Sequence, residues 1–192
     1  GRPSYPAVFT RFADTQVGHG GAMLVPSDTK EFELEGELAV IIGRPGRAIP
    51  ESEALDHIAG YSIYNDGSVR EWQHHTPQFI PGKNFPSTGG FGPYLVTADE
   101  IADPQNLSIV SRVDGVAQQD GSTSGMMFSV AELIAYLSRF TPLSPGDVII
   151  TGTPGRTEEG DGPARHLRPG SLVEIEISGL GRLANKLVAA EF

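Results

Sequence analysis

The sharpest hydrophobic signal lies in FELEGELAVIIG, residues 32–43, where apolar and acidic positions alternate and then pass into a continuous apolar run. Period-two alternation leading into an unbroken apolar stretch predicts a strand that enters a buried sheet. Residues 1–30 read as irregular, with a short apolar patch at 7–9 and a stretch in which Gly18, Gly20 and Gly21 surround His19. Residues 50–59 predict a short helix stopped by Gly60. Short strands are predicted at 61–64 and 94–97, and Thr97 with Glu100 has capping-box spacing for a brief helical turn. Asp114-Gly115 between apolar flanks predicts a hairpin within 107–118. Ser129 and Glu132 form a second capping box, followed by Val130, Leu133, Ile134 and Leu137 at helical spacing, the strongest helix pattern in the chain. Pro145-Gly146 marks a turn, 147–151 a strand, 152–162 a glycine-rich loop, and 171–177 with 181–188 a closing strand pair.

Many short strands with few helices predict an α+β, mainly β fold and not a doubly wound parallel sheet. The 192 residues hold no internal repeat and no obvious linker, so the expectation is a single domain over 1–192. With 24 Gly and 15 Pro, the chain has many turns and is a poor helical bundle. The absence of cysteine excludes a disulfide framework, thiolate metal sites and a cysteine nucleophile. Fourteen basic against twenty-four acidic side chains give a formal charge of −10, with no Lys/Arg cluster. A nucleic-acid partner is therefore not expected, nor an anionic membrane surface. No apolar run reaches transmembrane length and residues 1–6 do not read as a signal peptide, so a cytoplasmic protein is expected. The chain begins without Met, which leaves room for an upstream segment.

Glu31, Glu33, Glu35 and Glu37 recur at spacing two, so on an extended strand all four share one face. A solvated edge strand explains such a face. Here, however, the strand runs directly into Leu38-Ala39-Val40-Ile41-Ile42, and carboxylates beside a buried run need something to offset their repulsion. A hard divalent cation does so, because Mg²⁺ and Mn²⁺ favour carboxylate oxygens. Asp66 offers a third carboxylate at a strand end, and Arg70 and Gln73 follow one turn apart. Lys83 sits in a Gly/Pro-rich loop, where a surface role is the simplest reading. Thr151-Gly152-Thr153, at the end of a predicted strand, offers backbone N–H groups and a hydroxyl to a carboxylate. P-loop, Rossmann, nucleophile-elbow and zincin motifs are missing.

In order and spacing, ELEGELAVIIG, GYSIYNDGSVREWQ, GKNF and LSPGDVIITGTP resemble the fumarylacetoacetate hydrolase superfamily, from about Phe9 to the C-terminus. The resemblance implies a mixed β-sandwich roll or distorted barrel with a few short helices, assembled as a homodimer, with an Mg²⁺ or Mn²⁺ site. It implies Glu35, Glu37 and Asp66 as metal ligands, with Glu31 and Glu33 outside the motif. Lys83 matches the active-site lysine, and Arg70 and Gln73 match substrate-side positions. Thr153, beside Gly152, matches the residue that helps hold the substrate carboxylate. The implied activity is metal-dependent enolate chemistry on 2-oxo or 2,4-dioxo acids, foremost C–C hydrolysis of an acylpyruvate. Alternatives are an isomerase, tautomerase or decarboxylase of the dienedioate or oxaloacetate type, or a non-catalytic small-acid binder. Two departures stand out: Arg11-Phe12 replaces a frequent Lys-Pro, and His74-His75 has no counterpart. The family's general base, a His on an upstream lid, has no match in His19, so an N-terminal extension carrying that lid is expected, with His74 or His75 as the substitute. Substrate preference is expected to rest on loops such as 73–81 and 157–166.

Overall fold

The computed structural model describes residues 1–158, 160–162 and 166–191, so residues 159 and 163–165 of the loop tied above to substrate preference lie outside the described residues. In chain order the strands are β1 (Gln16–Gly18), β2 (Ala22–Val25), β3 (Phe32–Glu33), β4 (Gly36–Ile42), β5 (Ile58–Asp66) and β6 (Ser68–Val69). They continue as β7 (Gly89–Thr97), β8 (Ser108–Val113), β9 (Val116–Ser122), β10 (Val148–Ile150), β11 (Leu172–Ile177) and β12 (Gly181–Ala189). Among the described residues, three α-helices accompany them: α1 (Arg70–Gln73), α2 (Ile80–Lys83) and α3 (Val130–Phe140). One five-stranded sheet runs β1-β7-β5-β4-β10, a second runs β2-β12-β11-β8-β9, and β3 and β6 pair as a small third sheet.

The two large sheets stack through their apolar faces. Leu38, Val40 and Ile63 of the first sheet share one core with Ile109, Ile175 and Leu183 of the second. Leu133 and Ile134 of α3 enter the same core, and the predicted capping box starts this helix: Ser129 Oγ accepts from Glu132 N–H, and Ser129 N–H donates to Glu132 Oε2. A second core beneath the small sheet joins Phe32, Leu34 and Val69 to Met23, Val173 and Leu187. Asp114 (φ 49°) and Gly115 (φ 83°) turn the β8–β9 hairpin, and β11 and β12 pair antiparallel, both as the sequence predicts.

Elsewhere the structure corrects the sequence reading. The 32–43 segment is not one strand, because pairing stops after Glu33 and resumes at Gly36. The 1–30 segment is not wholly irregular: β1 lies parallel to β7 and β2 parallel to β12, where partners supply hydrogen bonds that a short local pattern does not advertise. The strands predicted at 61–64 and 94–97 extend to 58–66 and 89–97; Gly89, Gly90, Gly92 and Pro93 mask the strand pattern of β7. Thr97 does not close a capping box; its hydroxyl donates to the Glu100 carboxylate beside a single 3₁₀ turn. The helix predicted at 50–59 is a 3₁₀ helix over Glu51–His57, and Gly60 belongs to β5. A Cβ on Gly60 would lie 2.2 Å from Val96 O, so glycine serves close strand approach there and not a helix stop. Gly60→Ala should therefore cost about 1–3 kcal/mol of stability, read as a lower urea midpoint at unchanged slope. Among the described residues, no helix is long and apolar enough to cross a membrane.

Candidate metal centre and active site

The site forms where two strands break at the same level. The chain passes from β3 to β4 through Leu34-Glu35 and from β5 to β6 through Gly67, and Asp66 N–H donates to Glu35 O at 2.8 Å across the seam. Asn65 Oδ1 accepts from Glu35 N–H at 3.1 Å, fixing the backbone on the other side. Side chains alternate through the seam. Leu38 packs into the core between the sheets and also borders a cavity of about 1360 Å³, which Glu35 and Glu37 line with their carboxylates.

Glu35, Glu37 and Asp66 are buried, and each offers one carboxylate oxygen within 4.8 Å of the other two. Lys83 is buried against them, only 2% exposed. Its Nζ donates to Glu35 Oε2 at 2.6 Å, to Asp66 Oδ2 at 2.7 Å and to Ser68 Oγ at 2.6 Å, which uses all three ammonium hydrogens. The surface role for this lysine does not hold; α2 carries it into the seam. Glu37 is compensated differently. Its Oε2 accepts the Gly152 N–H, which the positive φ of Gly152 (98°) turns toward it. Burial, with Asp66 and Glu35 close by, raises the Glu37 pKa well above the ordinary carboxylate range, against the opposing pull of Lys83 and the Gly152 N–H. Three converging buried carboxylates of this kind fit a hard divalent ion of the Mg²⁺ or Mn²⁺ class, with Glu35, Glu37 and Asp66 as the holding groups.

Arg70 is held inside the structure. Its Nε meets Glu33 Oε2 at 2.8 Å, one terminal nitrogen meets Gln73 Oε1 at 2.7 Å, and the other pairs with Glu35 Oε1. Because Arg70 only donates, Gln73 must accept through its oxygen, which leaves the Gln73 amide nitrogen for the cavity that this side chain lines. Thr153 also lines the cavity; its hydroxyl donates to Gly36 O at 2.9 Å and accepts from Gln119 Nε2 at 2.8 Å. His74 and His75 are exposed and do not line the cavity, and the His19 ring accepts from Ala184 N–H.

Sequence reasoning missed four contributors. Arg11, noted only as a departure, is buried with NH1 2.6 Å from Asp66 Oδ1 and NH2 2.7 Å from Thr88 Oγ1. Glu33, set outside the motif, is buried between Arg70 and Arg156. Gln119 accepts from Gly36 N–H at 3.0 Å, between the two glutamates, and donates to both Thr153 and Pro154. Ser68 completes the lysine's shell. Two of these carried a sequence signal: Glu33 in the spacing-two run of glutamates, and Ser68 within the GYSIYNDGSVREWQ segment.

The mainly β fold, with its buried carboxylate triad and a lysine at a strand seam, is that of a known family, which comparison with known proteins identifies. The family model described as fumarylacetoacetate (FAA) hydrolase C-terminal matches residues 1–188, and the chain belongs to that family. The human protein named oxaloacetate tautomerase FAHD2A, mitochondrial, is 40% identical over 188 residues, covering 97% of this chain and 60% of that protein. Oxaloacetate tautomerase YisK of Bacillus subtilis is 40% identical over 186 residues, 96% of this chain and 62% of its own length. The chain thus spans about three fifths of the length of these curated relatives. Among solved structures, a 2-hydroxyhepta-2,4-diene-1,7-dioate isomerase from Mycobacterium marinum superposes with a TM-score of 0.89 at 32% identity, over 99% of this chain and 71% of that one.

Proposed function

We infer that this chain carries the catalytic site of a divalent-metal-dependent tautomerase, which moves a proton on the carbon beside the 2-oxo group of a small acid. The observation that supports this most directly is Lys83, a buried ammonium held against two of the three candidate metal ligands. Bound at Glu35, Glu37 and Asp66, a divalent ion supplies Lewis acidity to the 2-oxo group, which eases negative charge onto its oxygen. Lys83 then handles the proton at the neighbouring carbon: its N–H delivers that proton when the enol becomes the ketone, and the neutral amine takes it back in the reverse direction. The enol oxygen gives its proton to water and water returns one to the Lys83 amine, so the proton count closes over each turnover. Gln73, through the amide nitrogen that Arg70 leaves free, orients the substrate carboxylate from the cavity wall, whereas the Thr153 hydroxyl spends its one hydrogen on Gly36 O.

C–C hydrolysis asks for one further group, a base that activates water. The relatives described above, two tautomerases and an isomerase, favour a proton shift.

The test follows oxaloacetate by the ultraviolet absorbance of its enol, with protein stripped by chelator and then reloaded with Mg²⁺ or Mn²⁺. Keto–enol relaxation should accelerate only with the loaded protein. Faster release of pyruvate from oxaloacetate or from acetylpyruvate than relaxation of the enol would overturn the assignment in favour of decarboxylation or hydrolysis.

A further inference from the structure

The seam holds a cation that the proposed chemistry does not use. Arg156 lines the cavity alongside Glu35, Asp66, Gln73 and Lys83. Its backbone bridges to Gln119, which fixes the residue against β9, and its NH2 pairs with Glu33 Oε2 at 2.6 Å. Its NH1 is buried and has no hydrogen-bond partner among the described residues. A guanidinium donor left unpaired in a protein interior is costly, and its presence asks for a ligand or a water. The other guanidiniums of the seam are committed: Arg70 to Glu33, Glu35 and Gln73, and Arg11 to Asp66, Gly67 O and Thr88. Arg70, moreover, does not line the cavity, although its sequence position suggested a substrate role.

Charge leads to the same place. Among the described residues, the four buried carboxylates Glu33, Glu35, Glu37 and Asp66 are matched by three arginines and a lysine, Arg11, Arg70, Arg156 and Lys83, and Glu33 also lies 3.6 Å from His166 Nδ1; with that imidazole neutral, the charges balance four against four. A divalent ion added to that balance leaves two positive charges, which a dianion offsets in full and a monoanion by half.

We propose that Arg156 binds the second carboxylate of the substrate and so selects 2-oxo acids carrying two carboxylates over those carrying one. A turn of the guanidinium about its Glu33 contact presents NH1 to the cavity, where a planar fork suits a carboxylate. This rests on the 2-oxo acid reading above and deepens it.

The experiment compares two unreactive ligands with the same 2-hydroxy acid head, L-malate and (S)-2-hydroxybutyrate, which differ in a terminal carboxylate against a methyl. Titration calorimetry on Mg²⁺-loaded protein gives both dissociation constants for the unsubstituted chain, Arg156→Gln and Arg156→Lys. The unsubstituted chain should prefer malate by about tenfold or more. Arg156→Gln should lower that preference below about threefold through malate alone, with Arg156→Lys in between. The ratio is internal to each variant, so a general loss of stability does not imitate the result. An unchanged ratio in Arg156→Gln, or equal weakening of both ligands, would overturn the proposal and leave Arg156 a structural partner of Glu33. Binding of neither ligand to the unsubstituted chain would overturn the 2-oxo acid reading itself.

Discussion

Replacing Lys83 by methionine should abolish most turnover and destabilise the metal-free protein. The buried ammonium separates Glu35 from Asp66, and removing one partner of a buried ion pair costs about 3–5 kcal/mol because the remaining charges lose their counter-charge. Loss of the proton-transfer group should lower kcat by a factor of about 10²–10⁴. Metal loading separates the two effects. Mg²⁺ should restore much of the stability, since an ion among the carboxylates replaces the missing positive charge, but not the rate. Urea unfolding with and without Mg²⁺, beside stopped-flow enol relaxation, reads both. Turnover near that of the unsubstituted protein would remove Lys83 from the mechanism.

The second large effect is a pH dependence centred on Glu37. Burial, Asp66 and Glu35 raise its pKa in the folded chain, so folded protein keeps this proton at pH values where unfolded chain has released it. The resulting stability is fully present below the unfolded value, near 4.5, and is lost as pH rises through the higher folded value. Chelator-treated protein should accordingly lose Tm with rising pH above that point. A divalent ion competes with the proton, so loading should release a proton and flatten the slope. In Glu37→Gln the metal-free slope should disappear, the metal-free Tm at neutral pH should rise, and Mg²⁺ should no longer stabilise. An identical slope in Glu37→Gln, measured by calorimetry across that range, would assign the effect to another group.

The parts of the fold legible in the sequence were those specified locally. Ser129 and Glu132 three residues apart, and Asp114-Gly115 between apolar runs, act through neighbours in the chain, and both elements form where they predict. What stayed hidden depends on distant partners: β1 and β2 exist because β7 and β12 lie alongside, and a glycine-rich β7 packs where side chains would not fit. The site divides in the same way. Glu35, Glu37, Asp66 and Lys83 stand in recognisable segments and come together at the seam. The roles of Arg11, Glu33 and Gln119 arise from contacts spanning 55 residues from Arg11 to Asp66, 123 from Glu33 to Arg156 and 83 from Gly36 to Gln119, which no local spacing encodes.

The strand seam has an evolutionary consequence. Its acids and bases hold the backbone breaks together as well as presenting charge to the cavity, so a change at Glu33, Glu35 or Asp66 is at once a lesion in chemistry and in folding, and drift there is closed off. Another part of the cavity lining is built differently. Met127 of the loop before α3, Phe140 at the helix end and Val148 of β10 are exposed and belong to neither buried core. That part can be rewritten without disturbing the seam. A lineage of this design is therefore free to vary one part of its cavity lining while inheriting the other intact.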